Sequence, residues 1–88
     1  MEFRVMDEAV DLGALGLALV VNEGECDAIC NGCRIRDIRG TVHTVQSVSE
    51  QEGLTVLYLR NGDVAYFERL FRDIFVDATL FTLLPEGA

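Results

Sequence analysis

Cys26, Cys30 and Cys33 fall within one eight-residue stretch, CDAICNGC, the densest concentration of chemically capable side chains in the chain. Three thiolates plus a fourth ligand complete a zinc tetrahedron, and His43, the sole histidine, is the available fourth. Gly32 allows the tight turn that convergence of the sulfurs would need. The same loop could instead respond to redox conditions, since Cys30 and Cys33 stand as Cys-x-x-Cys. A purely structural reading stands beside both: Cys30 and Ile29 pack inside as small apolar groups, and the other thiols are incidental. His43 has no marked partner for base catalysis, which requires groups within hydrogen-bond reach. No catalytic residues are assigned, and an enzyme is the least supported class.

The C-x3-C-x2-C spacing resembles the cluster loop of radical S-adenosylmethionine enzymes, whose barrel alone exceeds the length of this chain. Arg34, Arg36 and Arg39 follow the cysteines as a basic island. An arginine stripe can contact phosphate. Here Glu23, Glu25, Asp27 and Asp37 lie close in sequence, and mutual neutralisation is the preferred reading. Every basic residue is arginine, which removes Schiff-base lysine chemistry. With 15 acidic against 7 basic residues and a net charge of −8, the surface repels phosphate backbones and anionic membranes. The apolar run Leu12 to Val21 is about half of the ~20 residues that span a bilayer. No basic leader precedes it, three cysteines do not make a disulfide framework, and a cytoplasmic location is expected.

The elements that must position these residues are mostly strands. EFRVM reads as a short strand, and residues 7–21 as either a helix capped by Asp7 or a loop followed by a buried strand Leu17–Val21, the latter preferred. Asn22 to Gly40 reads as a structured loop with a short edge strand at Cys33–Ile38. Thr41 to Val48 is rich in β-branched residues and forms a strand, with a bulge near His43–Thr44. Residues 49–53 form a polar turn. Asn61-Gly62 lies between two apolar runs and predicts a type I′ hairpin, so that Val56, Tyr58, Ala65 and Phe67 line one face. The segment ERLFRD then makes one helical turn, and Ile74 to Leu84 a last strand with Ile74, Val76, Ala78 and Leu80 on its apolar face.

This order predicts a mainly β fold: a small SH3-like five-stranded barrel over residues 16–84 with one short helical turn. Residues 1–15 form an N-terminal extension, and the 88 residues make a single domain. The segment YLRNGDVAYF resembles the Arg-Gly step of Sm-type RNA-binding barrels, with Asn61 interposed, which implies a nucleic-acid binder as a further alternative. The expected function is a non-enzymatic protein-interaction or assembly module. Its contact face is Val56, Tyr58, Ala65 and Phe67, or the opposite set Leu57, Leu59, Val64 and Tyr66; the N-terminal segment is the preferred cover, and otherwise a protein partner or a second copy supplies it. The alternative is a zinc or redox domain built on Cys26, Cys30, Cys33 and His43.

Overall fold

The apolar run LALVV becomes the strand around which the sheet is built. The computed structural model describes residues 1–24, 28–60, 62–74 and 76–85. Its elements begin with β1 (Glu2–Val5), β2 (Val10–Asp11), a 3-10 turn at Gly13–Leu15 and β3 (Leu17–Glu23). Then come β4 (Arg34–Arg36), β5 (Val42–Thr44), β6 (Ser47–Gln51) and β7 (Leu54–Leu59). The helix α1 (Val64–Asp73) and β8 (Leu80–Leu83) complete the order. Every pairing is antiparallel, in the spatial order β5-β4-β8-β1-β3-β7-β6, with β2 beside β3.

The two edge strands of this sheet, β5 and β6, are consecutive in the chain and separated only by Val45 and Gln46. The Val45 amide bonds the carbonyl of Cys33, on the β4 side, while the Gln46 amide bonds the carbonyl of Tyr58 in β7, each at 2.8 Å. One bent strand therefore serves both edges, and the sheet must curl to bring them within two residues of each other. No ladder joins β5 to β6, so the sheet is curled but not closed into a barrel. The mainly β expectation is met; the five-stranded closed barrel is replaced by an eight-stranded open sheet. The interruption also lies at Val45–Gln46, two residues beyond the bulge expected at His43–Thr44.

Alternation along the strands sends one set of side chains into the hollow of the curl. Leu17 and Leu19 of β3 stand opposite Leu59 and Leu57 of β7, and all four are buried. Phe3, Val5, Ile35, Val45 and Phe81 join them from the other strands. The hollow is closed by α1, whose Phe67 and Leu70 enter the same cluster. Aromatic rings stack at its centre, with Phe3 and Phe67 at 5.9 and 6.3 Å from Phe81.

The helix corrects the largest sequence expectation. Val64 to Phe67 do not return as the second strand of a hairpin; they are the first turn of α1. Asp63 caps that turn by accepting the Ala65 amide at 3.0 Å, satisfying a donor that helix geometry leaves orphaned. The tight two-residue hairpin is instead β6–β7, where Gln51 pairs with Leu54 across Glu52 and Gly53. Both turn residues have positive φ, +53° and +83°, as a type I′ turn requires. The last strand is also shorter than expected. Val76 is 73% exposed, Ala78 is buried in the turn before the strand, and within β8 the buried residue is Phe81 rather than Leu80.

Candidate functional site

The chemistry-bearing residues gather at the β4–β5 end of the curl. In β4, Ile35 faces the core while Arg34 and Arg36 face outward, as their alternation predicts. β4 is not an edge strand, however, since it lies between β5 and β8. The chain then turns through residues 37–41, and Asp37 organises that turn. Its Oδ1 accepts the amides of Arg39 and Thr41 at 2.9 and 3.0 Å. Its Oδ2 accepts the Tyr66 hydroxyl at 2.6 Å and faces His43 Nε2 at 2.8 Å. The residue is only 4% exposed. An ionised carboxylate can only accept, so Nε2 carries the proton in this contact.

Burial by itself pushes the Asp37 carboxyl upward, because desolvation disfavours charge. The donors from Tyr66, His43 and Thr41 outweigh it and hold the carboxyl below its usual range. Tyr66 moves the other way: burial first, and then the bond to Asp37, raise its phenol above the usual value. The His43 ring is enclosed by aromatic neighbours, 4.8 Å from Phe67 and 5.5 Å from Tyr66 between centroids. The Arg39 guanidinium lies 5.9 Å above the Tyr66 ring. This network ties the β4–β5 turn to the helix, and among the described residues no buried polar side-chain atom lacks a partner.

Asp37 was expected only as one of several acids neutralising the arginines. Its sole sequence signal is its place before Arg39-Gly40-Thr41, where a carboxylate can bind the amides of its own turn. With Asp37 buried, the arginine island has lost its nearest acid. Among the described residues, Arg34, Arg36, Arg39 and Arg60 take part in none of the ion pairs, which join Arg4 to Asp77, Arg72 to Asp73 and His43 to Asp37. Glu23 sits opposite Arg4 instead. Glu25 and Asp27 lie outside the described residues.

Of the zinc set, Cys26 also lies outside the described residues. Cys30 is exposed rather than packed inside; Ile29 is buried, and Cys33 is the thiol that packs against the core. His43 directs Nε2 to Asp37. Among the described residues, no three of His, Cys, Asp and Glu are grouped to hold a metal ion. Cys30 and Cys33 do share a groove of about 330 Å³ with Arg34 and the chain end at Leu83–Pro85.

The expected contact face is dispersed. Phe67 is in the core, Ala65 is exposed on α1, and Val56 and Tyr58 lie on the outer side of β7. The Tyr58 hydroxyl accepts hydrogen bonds from Ser49 and Gln51 at 3.2 and 2.9 Å. Ser49 stands opposite Val56, so the phenol ring crosses the row holding Val56, which is buried.

A larger groove, about 550 Å³, opens where the curl fails to close. Val42 to Gln46 form one wall, and Leu59, Arg60 and Gly62 the other. The bonds from Asp37 N to Thr41 O and from Val45 N to Cys33 O fix the alternation of the first wall. Residues 41, 43 and 45 bond toward β4, so the amides and carbonyls of Val42 and Thr44 point away from it, along the free edge.

Compared with models of protein families, with characterised proteins and with solved structures, the chain gives no match. No helix among the described residues is long and apolar enough to cross a membrane.

Proposed function

We propose that this chain is a non-enzymatic protein-interaction module that adds an extended, acidic segment of a partner protein as a strand on the free edge of β5. The observation that carries this reading is the edge itself. Val42 and Thr44 direct backbone donors and acceptors along a groove within the ~300–1,000 Å³ range of ligand sites. An unpaired edge is a template for strand addition, in which main-chain bonds supply affinity and flanking side chains supply selectivity. The opposite edge is less available, because the Asn31 side chain accepts the Val48 amide at 3.0 Å.

Charge complementarity selects the occupant. Arg60 lines the groove, Arg34 and Arg36 stand opposite Thr44 and Val42 on the paired strand, and Arg39 lies in the turn before β5. Between Ala28 and Ser49 the one acid is the buried Asp37. The remainder of the chain is strongly acidic, which would repel an extended polyanion at long range. A short segment with one or two carboxylates feels that distant charge less than a polyanion does and lies beside Arg60. Val42, 46% exposed, offers an apolar contact beside these charges. The mutual engagement of Asp37, His43 and Tyr66 supports a structural rather than a catalytic role for the titratable groups.

Binding of synthetic peptides of about six residues, a usual strand length, tests this by fluorescence anisotropy. Acidic β-branched peptides are expected to bind with Kd of the order of 10–100 μM and more weakly as salt rises. The same peptides N-methylated at alternate residues should lose binding. Equal binding of neutral and basic peptides, preferential binding of RNA, or self-association into a dimer that occupies the groove would each overturn the proposal.

A further inference from the structure

We propose that Cys30 and Cys33 form a dithiol oxidised to an intramolecular disulfide by a low-molecular-weight disulfide such as oxidised glutathione. This inference is independent of the peptide-binding reading. The Cys33 amide donates to the Cys30 carbonyl at 3.1 Å, which closes a β-turn over Asn31 and Gly32. Gly32 has φ of +85°, the conformation a type II turn requires at that place. A β-turn holds its end Cα atoms within ~7 Å, and disulfides span ~4.4–6.8 Å between Cα atoms. The turn therefore holds the two Cα atoms within about the span that a disulfide needs.

The turn is held from both halves of the bent strand. The Gly32 amide bonds the Val45 carbonyl at 2.7 Å, the Cys33 carbonyl accepts the Val45 amide at 2.8 Å, and Asn31 accepts the Val48 amide. Access to the two thiols is unequal. Cys30 is exposed, whereas Cys33 is half-buried against the core, and burial pushes its thiol up. Both line the groove of about 330 Å³ in which Arg34 supplies a positive charge for an anionic tripeptide.

The order of events follows from this asymmetry. The Cys30 thiolate attacks one sulfur of the oxidant, the sulfur–sulfur bond breaks, and one glutathione thiolate leaves. Cys33 then gives its proton to solvent and attacks the Cys30 sulfur, expelling the second glutathione. The protein loses two protons and two electrons, and one oxidised glutathione becomes two reduced ones.

Full-length protein, fully reduced and equilibrated in glutathione buffers, is quenched with acid, alkylated and mapped by mass spectrometry. Wild type should lose two hydrogens in mass, with Cys30 joined to Cys33 and Cys26 alkylated. Cys26→Ser should behave the same, whereas Cys33→Ser should accumulate a glutathione adduct at Cys30 and Cys30→Ser should remain reduced at Cys33. A link involving Cys26, a lasting adduct on the wild type with Cys33 still alkylated, or a disulfide between chains would overturn the assignment. So would resistance of Cys30 and Cys33 to a large excess of oxidised glutathione.

Discussion

At the scale of single residues the molecule depends most on Asp37. Its carboxylate bonds two amides of its own turn and two side chains, one of them 29 residues distant on the helix. Asp37→Asn turns an acceptor into a donor against Tyr66 or His43 and should cost about 2–4 kcal/mol in urea unfolding. Tyr66→Phe leaves one acceptor site short of a partner and should cost about 1–2 kcal/mol. Linkage gives the pH dependence. The folded state lowers the proton affinity of Asp37, so its contribution is complete above the unfolded carboxylate value near ~3.9 and is lost as pH falls through the lower folded value. The folded state raises that of Tyr66, so its contribution is complete below about pH 10 and disappears as pH rises through the higher folded value. Unfolding measured across pH should show both limbs in the wild type and flatter limbs in Asp37→Asn. None of this was legible in RIRDIRG, where an acid among arginines looks like a surface ion pair. Its burial follows from a turn that aims the carboxylate inward and from a tyrosine brought over by the helix.

At the scale of elements, two dipeptides compete for the same turn chemistry. Asn61-Gly62 carries the stronger hairpin signal, yet Glu52-Gly53 makes the two-residue turn. Four residues, Val64 to Phe67, satisfy strand alternation and helical spacing alike, and length arbitrates between them. The helical pattern continues through Leu70 and Phe71 for ten residues, whereas the alternating one stops at Phe67. Asp63 marks the start, a capping signal that the Asn61-Gly62 hairpin reading passed over. Asp63→Ala should therefore destabilise the fold by about 1 kcal/mol, read from the denaturation midpoint with an unchanged slope. Gly16 is the other sensitive point. It has φ of +98°, and a methyl group there would strike the carbonyls of Leu59 and Arg60. Gly16→Ala should lower stability by about 3 kcal/mol or more, measured the same way. The buried strand at Leu17 was legible because an apolar run between Gly16 and Gly24 suits a strand better than a helix interrupted by Gly13 and Gly16, and the short strand at Glu2 because EFRV alternates.

At the scale of the whole molecule, the mainly β class follows from the order of strand-like runs and turn signals, but closure does not. Whether a sheet seals into a barrel depends on how its two edges meet, and here the two-residue link Val45–Gln46 changes partners between them. The broken alternation of Val42, Val45 and Val48 signals an irregularity in this run, but periodicity cannot report that the chain changes partners there. The consequence is a free edge at β5 with Arg60 on the facing wall of the groove, the basis of the proposed peptide docking. Val42→Pro removes only an amide that points away from β4, a position where edge strands tolerate proline. The thermal midpoint should change by a few degrees at most, while affinity for an acidic peptide should fall about tenfold or more. Arg60→Ala should weaken the same peptide several-fold and reduce its salt dependence.

Strand addition at the β5 edge is tested by amide-resolved NMR during titration with an acidic extended peptide. The amides of Val42 and Thr44 should shift progressively and become protected from hydrogen exchange, with Arg60 and Gly62 shifting alongside. Amides of β6 should stay in place. Saturable binding whose shifts map to β6 or the outer side of β7, with Val42 and Thr44 exchanging as freely as before, would contradict it.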